Sequence, residues 1–324
     1  LIIDDTPIDA TISVNNVDTD SRATPIIDIY VQNTTLMIDE TAGVQNGAAD
    51  ADVPGDVTLE HDVATLPGVF TTAAATALLA SAGTPVSQAS RLNALTVTPH
   101  YGADQPGSTS VRLTDANKAD FNGTATNLFD AASNLRIFLF SDPTTGLVLG
   151  RAGSDATSAA SGPIVFAIGT SYNEASGNSV ELSIVQYRGI EHSDTNNRDE
   201  TATLQGQSVD GILYLTATSS DFDGDVISTR SGALTVRFED DAPSVIGTVT
   251  TGLTLDEDDL PGGNDTLPNE ALSKTGDLNI SLGADGGTVS LSATNAVWNA
   301  ATRTLTAQDG AWTIVLNNDG TYTF

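Results

Sequence analysis

The chain has 324 residues, more than one ordinary domain, and 39% of them are hydrophobic, enough for a core and too many for a disordered acidic tail. Its formal charge of −30 comes from 42 acidic residues against 12 Lys and Arg, which excludes nucleic acid and argues against anionic membrane surfaces, since both demand Lys and Arg. With no cysteine there is neither a disulfide framework nor a Cys-based zinc site.

The acidity has a particular source: 33 Asp against 9 Glu, with Lys118 and Lys274 the only lysines. Asp is a poor helix former that favours turns and oxygen-ligand loops. A surface of this kind repels itself unless cations screen or bind it; the plainer reading is solubility in a salty medium. No run reaches the ~18 apolar residues of a membrane span, so no membrane insertion is expected. Leu1-Ile2-Ile3 leads straight into Asp4-Asp5 with no signal peptide, and Leu1 and Phe324 both fall inside strand-like runs. Both ends read as cuts in a longer chain, and the missing targeting segment says nothing about the parent.

Residues 1–56 hold short β-type runs, Ile26–Val31 and Leu36-Met37-Ile38, separated by acidic turns. Thr71–Ala82 has Ala and Leu at helical density and stops on Gly83 and Pro85, which predicts one short helix. From Leu92 to Arg237 the texture is strand and turn: Leu95–Thr98, Ser110–Leu113, Leu135–Phe140, Ile164–Ile168, Val180–Tyr187 and Ile212–Thr218. Within it, Phe121–Ala132 reads as a short helical turn and Arg151–Pro163 as a flexible surface loop. Ala233–Phe238 alternates apolar and polar, as a half-buried strand does. Ala311–Tyr322 reads as a hairpin with a Gly-containing turn.

The chain repeats itself. Asp4-Asp5-Thr6-Pro7 returns 236 residues later (240 − 4) as Asp240-Asp241-Ala242-Pro243. Leu36-Met37-Ile38-Asp39-Glu40 returns as Leu253-Thr254-Leu255-Asp256-Glu257, and Gly102-Ala103-Asp104 as Gly283-Ala284-Asp285. The interval from Glu40 to Gly102 is 62 residues and from Glu257 to Gly283 it is 26, so the first copy carries 36 extra residues (62 − 26). The expectation is an all-β chain with a β-sandwich-like module over 1–241, interrupted by an insertion at about 57–92 that holds the short helix. A partial second β module, a truncated repeat, follows over 242–324.

Several short motifs in fixed order resemble the long repeat modules of giant RTX-type bacterial adhesins exported by type I secretion. They are Asp221-Phe222-Asp223-Gly224-Asp225, Phe238–Pro243, Tyr101–Asp104, Asp256–Asp265 and Asn318–Tyr322. The resemblance implies secreted, cell-surface β modules that bind calcium at their junctions and serve as stalk or ligand-binding segments in cell attachment and biofilm formation. The glycine-rich repeat of a calcium β-roll appears only as the fragment Gly262–Leu267, and a single copy cannot stack.

Candidate calcium ligands follow from the Asp pattern, because Ca²⁺ takes six to eight hard oxygens in flexible geometry. Asp221, Asp223 and Asp225 alternate on one short loop; the EF-hand glycine and glutamate are replaced by Val226 and Gly232, so this is not an EF-hand. A solvated Asp-Gly turn is the plain alternative. The junction groups Asp4, Asp5 and Glu239, Asp240, Asp241 form a second set, with a Pro-stiffened acidic linker as alternative. Asp39, Glu40 with Asp50, and Asp256, Glu257, Asp258 with Asp265, form a third and fourth.

The histidines His61, His100 and His192 show no ligand spacing, no GxSxG occurs, and a glycosidase-type carboxylate pair can be drawn anywhere among 42 acids. The chain is therefore expected to be no enzyme. The leading expectation is a calcium-stabilised stalk module whose partners are neighbouring repeats of its own chain. The alternative is a module that binds surface glycans or peptides beside the Ala-rich insertion, with a polysaccharide-cleaving domain as the remote one.

Overall fold

A computed structural model describes residues 26–31, 34–40, 65–101, 106–194, 200–207, 211–222, 224–241, 243–256 and 271–324. The chain divides into two compact units, Leu1–Asp241 and Ala242–Phe324. The fold is all-β, with a few short helices that, among the described residues, lie in the first unit.

In the first unit, alternation dictates a sandwich. The strands are β1 (Ile26–Val31), β2 (Thr35–Asp39), β3 (Ser87–His100), β4 (Pro106–Thr114), β5 (Asn122–Asp130) and β6 (Leu135–Ser141). They continue with β7 (Val148–Gly153), β8 (Ile164–Asn173), β9 (Ser179–Gln186), β10 (Thr201–Thr203), β11 (Leu213–Asp221) and β12 (Val226–Glu239). One sheet has the order β1-β3-β9-β8-β7-β6-β5, an antiparallel meander extended by β3 and β1. The other has the order β10-β12-β11-β4, with β2 added alongside β12 in parallel. Inward side chains of both sheets, among them Ile137, Leu139, Phe166, Ile168, Ile184, Leu215, Val236 and Phe238, make one core. Phe166 and Phe238 meet across it with ring centroids 5.1 Å apart.

The long strand β12 changes phase part-way. Ile227, Thr229 and Ser231 are buried, then Gly232 and Ala233 are exposed, and Leu234, Val236 and Phe238 resume the inward positions. An irregularity in the β11 pairing between Tyr214 and Thr216 absorbs the extra residue, as a bulge does.

The insertion covers the outer face of the first sheet. Two helices, α1 (Gly68–Thr71) and α2 (Ala73–Leu79), stand where one helix over Thr71–Ala82 was expected. Thr72 breaks them apart because its extended backbone caps the second helix, its hydroxyl accepting from Ala75 N at 3.2 Å. Phe70, Ala75 and Leu79 bury against Leu147, Leu149, Ile164, Ala167, Val185 and Tyr187, making a second, smaller core. The central strands are thus apolar on both faces, which explains the unbroken run Ile164–Ile168.

Two expectations are corrected. Phe121–Ala132 is not a helical turn: Asn122–Asp130 is β5, paired with β6 and shifted in register between Ala125 and Phe129. Arg151–Pro163 is not a loop: Arg151–Gly153 completes β7, and α3 (Ala156–Ala159) follows, capped by Asp155, whose carboxylate accepts from Ser158 N at 2.8 Å. Small residues there serve packing, since Ala152 and Ala159 are fully buried.

The second unit holds β13 (Ser244–Val245) paired with β15 (Ile280–Ser281), and a sheet in which β14 (Thr275–Asp277) leads the order β14-β19-β18-β17-β16. The meander strands are β16 (Ala296–Asn299), β17 (Thr304–Ala307), β18 (Thr313–Leu316) and β19 (Thr321–Thr323). The hairpin expected at Ala311–Tyr322 is β18–β19. Leu253–Asp256 lies in no strand, although its sequence counterpart is β2.

Candidate functional site

The parallel pairing of β2 with β12 brings together acidic groups that lie two hundred residues apart in sequence. Asp39 stands opposite Glu239, and Glu40 N donates to Glu239 O at 3.0 Å. Two of the predicted ligand sets, Asp39-Glu40 and Glu239-Asp240-Asp241, therefore end side by side. Three of these carboxylate residues are taken out of water: Glu40 is 0% exposed, Glu239 7% and Asp241 8%. Burying a charge is costly unless it is hydrogen-bonded or paired. Burial is also the main reason that the Asp240 carboxyl is pushed above the usual carboxylate range, with the nearby Glu200 charge adding to the rise against a backbone hydrogen bond.

A polar network joins this acidic end to the other sheet. Glu40 Oε1 accepts from Ile190 N at 2.8 Å and from Gln186 Nε2, and the same Gln186 nitrogen donates to Arg188 O at 3.0 Å. Arg188 then forks onto Asp130 at the end of β5, Nε to Oδ1 at 2.6 Å and Nη2 to Oδ2 at 2.9 Å. Ser133 donates to the same carboxylate through its backbone N–H and its hydroxyl. Burial pushes Asp130 up, but the Arg188 fork and Ser133 outweigh it and hold the carboxyl below its ordinary value. Beside this end, Glu200 accepts from Ser193 Oγ and Asp194 N, both at 2.6 Å, and these bonds lower its pKa.

The Asp221 loop connects β11 to β12. Asp221 Oδ1 accepts from Gly224 N at 3.1 Å and from Asp225 N at 2.8 Å, and Asp221 N donates to Asp225 O. Gly224 has φ +102°, which a side chain tolerates poorly, so the glycine is needed for the turn. One carboxylate oxygen of Asp221 is thus committed to closing the loop. Phe222 projects from the tip, 79% exposed.

The remaining predicted ligands are placed plainly. Asp256 is exposed in the second unit. Asp4, Asp5, Asp50, Asp223, Glu257, Asp258 and Asp265 lie outside the described residues. Among the described residues, no group of three or more His, Asp or Glu is arranged to hold a metal ion. The donors at the β2–β12 end are hard oxygens of the kind calcium takes.

Sequence reading missed Gln186, Arg188, Asp130 and Glu200. Arg188 left one trace, being one of only 12 cationic residues in so acidic a chain. Gln186 left none.

Comparison with known families places the chain. Residues 35–232, from the first residue of β2 to the middle of β12, match the family described as Domain of unknown function (DUF5801), and the chain belongs to it. No curated protein and no solved structure matches.

Proposed function

We propose that this member of the DUF5801 family is a calcium-stabilised extracellular module of a large bacterial surface adhesin, acting as a stalk segment in cell attachment or biofilm formation. The observation that carries the reading is the convergence of Asp39, Glu40, Glu239, Asp240 and Asp241 at one end of the parallel strand pair, with three of them largely buried. Like charges brought together and desolvated repel one another, and a divalent cation converts that repulsion into cohesion. Glu239 and Asp241 are the residues whose carboxylate oxygens would meet the ion, with the remaining ligands coming from elsewhere, while Glu40 is held by Ile190 N and Gln186.

The stalk reading is preferred to the ligand-binding one by the insertion itself. Phe70, Ala75 and Leu79 of α1 and α2 are spent on covering the sheet. The repeat of the Asp-Asp-x-Pro signature at Asp4 and Asp240 favours a tandem array, in which neighbouring modules of the same chain are the partners.

Isothermal titration of Ca²⁺ into chelator-stripped protein tests the assignment. The parent binds calcium, and Glu239→Gln with Asp241→Asn removes at least one site. Retention of every site in that double variant, with the fold intact by circular dichroism, refutes the placement at the β2–β12 end.

A further inference from the structure

The outer face of the first sheet changes character where the helices stop. Ala167 of β8 and Val185 of β9 are buried against the helices in the smaller core, and Gly169 still lies against Val69. Beyond Gly169 the outward positions are Ser171 and Asn173 on β8, paired with Glu181 and Ser179 on β9. The row through Ser179 continues to Thr96 of β3 and from there to Tyr30 of β1. Directly paired residues share a face, so Asn173, Ser179, Thr96 and Tyr30 form one outward row, while Leu95 and Val180 beside it point into the core.

A bulge turns this row into a cavity. Arg91 stands opposite Leu182 and Leu95 opposite Val180, so β3 sets three residues against Glu181 alone. Ala94 is buried, whereas Leu92 and Asn93 are exposed, Asn93 with φ +52°. Bulges re-aim side chains in this way. Leu92 and Asn93 form one wall of a cavity of about 210 Å³. Ser171, Asn173, Ser179 and Glu181 line it from the sheet, and Ser176 from the single turn Glu174–Ser176. Leu92 is 62% exposed, and Tyr30, two strands from Ser179 on the same face, is 58% exposed.

The lining is neutral and hydrogen-bonding except at one point. Glu181 is its only charged residue, and its oxygens accept only long bonds, from Ser183 Oγ at 3.3 Å and Ser171 Oγ at 3.5 Å. Asn173 Oδ1 accepts from Ser176 N at 3.1 Å, which leaves the Asn173 amide nitrogen to a ligand. The side chains of Asn93, Ser176 and Ser179 make no hydrogen bond among the described residues. A phosphate or a uronic acid would meet the Glu181 charge with no cation in the lining to offset it. Strands β3, β9 and β8 are paired on both sides, so a peptide finds no sheet edge to extend here. A neutral sugar fits both requirements. Each of its hydroxyls can donate and accept, and its C–H face packs on exposed apolar carbon such as the Tyr30 ring and Leu92.

We infer that this outer-face cavity binds a neutral hexopyranose unit of a glycan, without a cation. Glu181, Asn93 and Asn173 hold its hydroxyls, and Leu92 and Tyr30 support its C–H face. The site goes beyond a purely mechanical stalk segment, because weak sites repeated along a tandem array gain avidity. That multiplicity rests on the array reading; the site itself does not.

Saturation-transfer NMR on the full 324-residue chain tests the inference. The probes are the methyl α-glycosides of glucose, galactose and mannose, with methyl glucuronoside as the charged control. At least one neutral glycoside should receive saturation, with a millimolar dissociation constant, and the glucuronoside should not. Glu181→Ala should weaken binding about tenfold, as loss of a hydrogen bond to a charged group does. Glu181→Gln, which keeps an oxygen acceptor, should restore part of it. Tyr30→Ala should diminish transfer to the ring C–H protons. Circular dichroism checks that each variant is folded. No transfer to any of the three neutral glycosides overturns the inference, and so does binding that is unchanged in both Glu181→Ala and Tyr30→Ala. Each measurement is made in calcium and in EGTA. Binding lost in EGTA while the fold persists overturns the cation-free assignment, and the calcium arm decides if the chelated protein unfolds.

Discussion

Removing Arg188 inverts the contribution of Asp130 to the pH dependence of stability. Asp130 is 0% exposed and its carboxylate is held by the Arg188 fork and by Ser133. Its folded pKa is lowered, so it contributes stability that is present above the unfolded value and is lost as pH falls through the folded value. In Arg188→Met the burial remains while the opposite charge is gone, and the carboxyl moves up. The group then opposes folding at pH 7 and is relieved on acidification toward pH 4, where it takes a proton.

Breaking a buried pair by deleting one partner costs about 3–5 kcal/mol. For a unit of this size that is roughly 6–20 °C of melting temperature. Calorimetry or far-ultraviolet circular dichroism is the assay, because both tryptophans lie in the second unit and do not see this change. An Arg188→Met protein that melts with the parent at pH 7, or whose deficit relative to the parent grows between pH 7 and pH 4.5, refutes the reasoning.

Three further outcomes follow from the packing. Phe238→Ala empties the cross-sheet contact with Phe166 and should cost about 3–5 kcal/mol, read from denaturant midpoints. Gly169→Ala places a Cβ 2.8 Å from Leu147 Cδ2 and 2.9 Å from both Val69 methyl groups, so α1 must lift from the sheet. Limited proteolysis should then cut within 65–85 faster, with about 1–3 kcal/mol lost. Asp221→Ala removes the acceptor for two loop N–H groups and should cost about 1–2 kcal/mol, whereas Asp221→Asn keeps the oxygen and most of the stability.

Period-two alternation made most strands legible before the structure. Ile26–Val31, Leu135–Phe140 and Val180–Tyr187 all lie within or against strands of the sandwich. Where alternation fails, reading fails: β5 carries its mismatch in register shifts, and its Thr126 hydroxyl donates to Ile137 O at 2.8 Å in a strand pairing that local propensity does not express. Composition misled at Arg151–Pro163, where alanine and glycine signify close packing. The acidic residues of the candidate site stood out singly, but their meeting did not. It depends on β2 joining β12 in parallel, a long-range pairing that no local pattern encodes. Gln186 and Asp130 acquire their importance only through that closure.

The central claim is that calcium holds this module together, and thermal unfolding in EGTA followed by a Ca²⁺ titration tests it most directly. With Ca²⁺ at about 100 times Kd, one site adds ~2.7 kcal/mol, or roughly 5–11 °C for the first unit. The account predicts a rise of at least that size, reduced in Glu239→Gln with Asp241→Asn. A melting temperature indifferent to chelation and to calcium would contradict it.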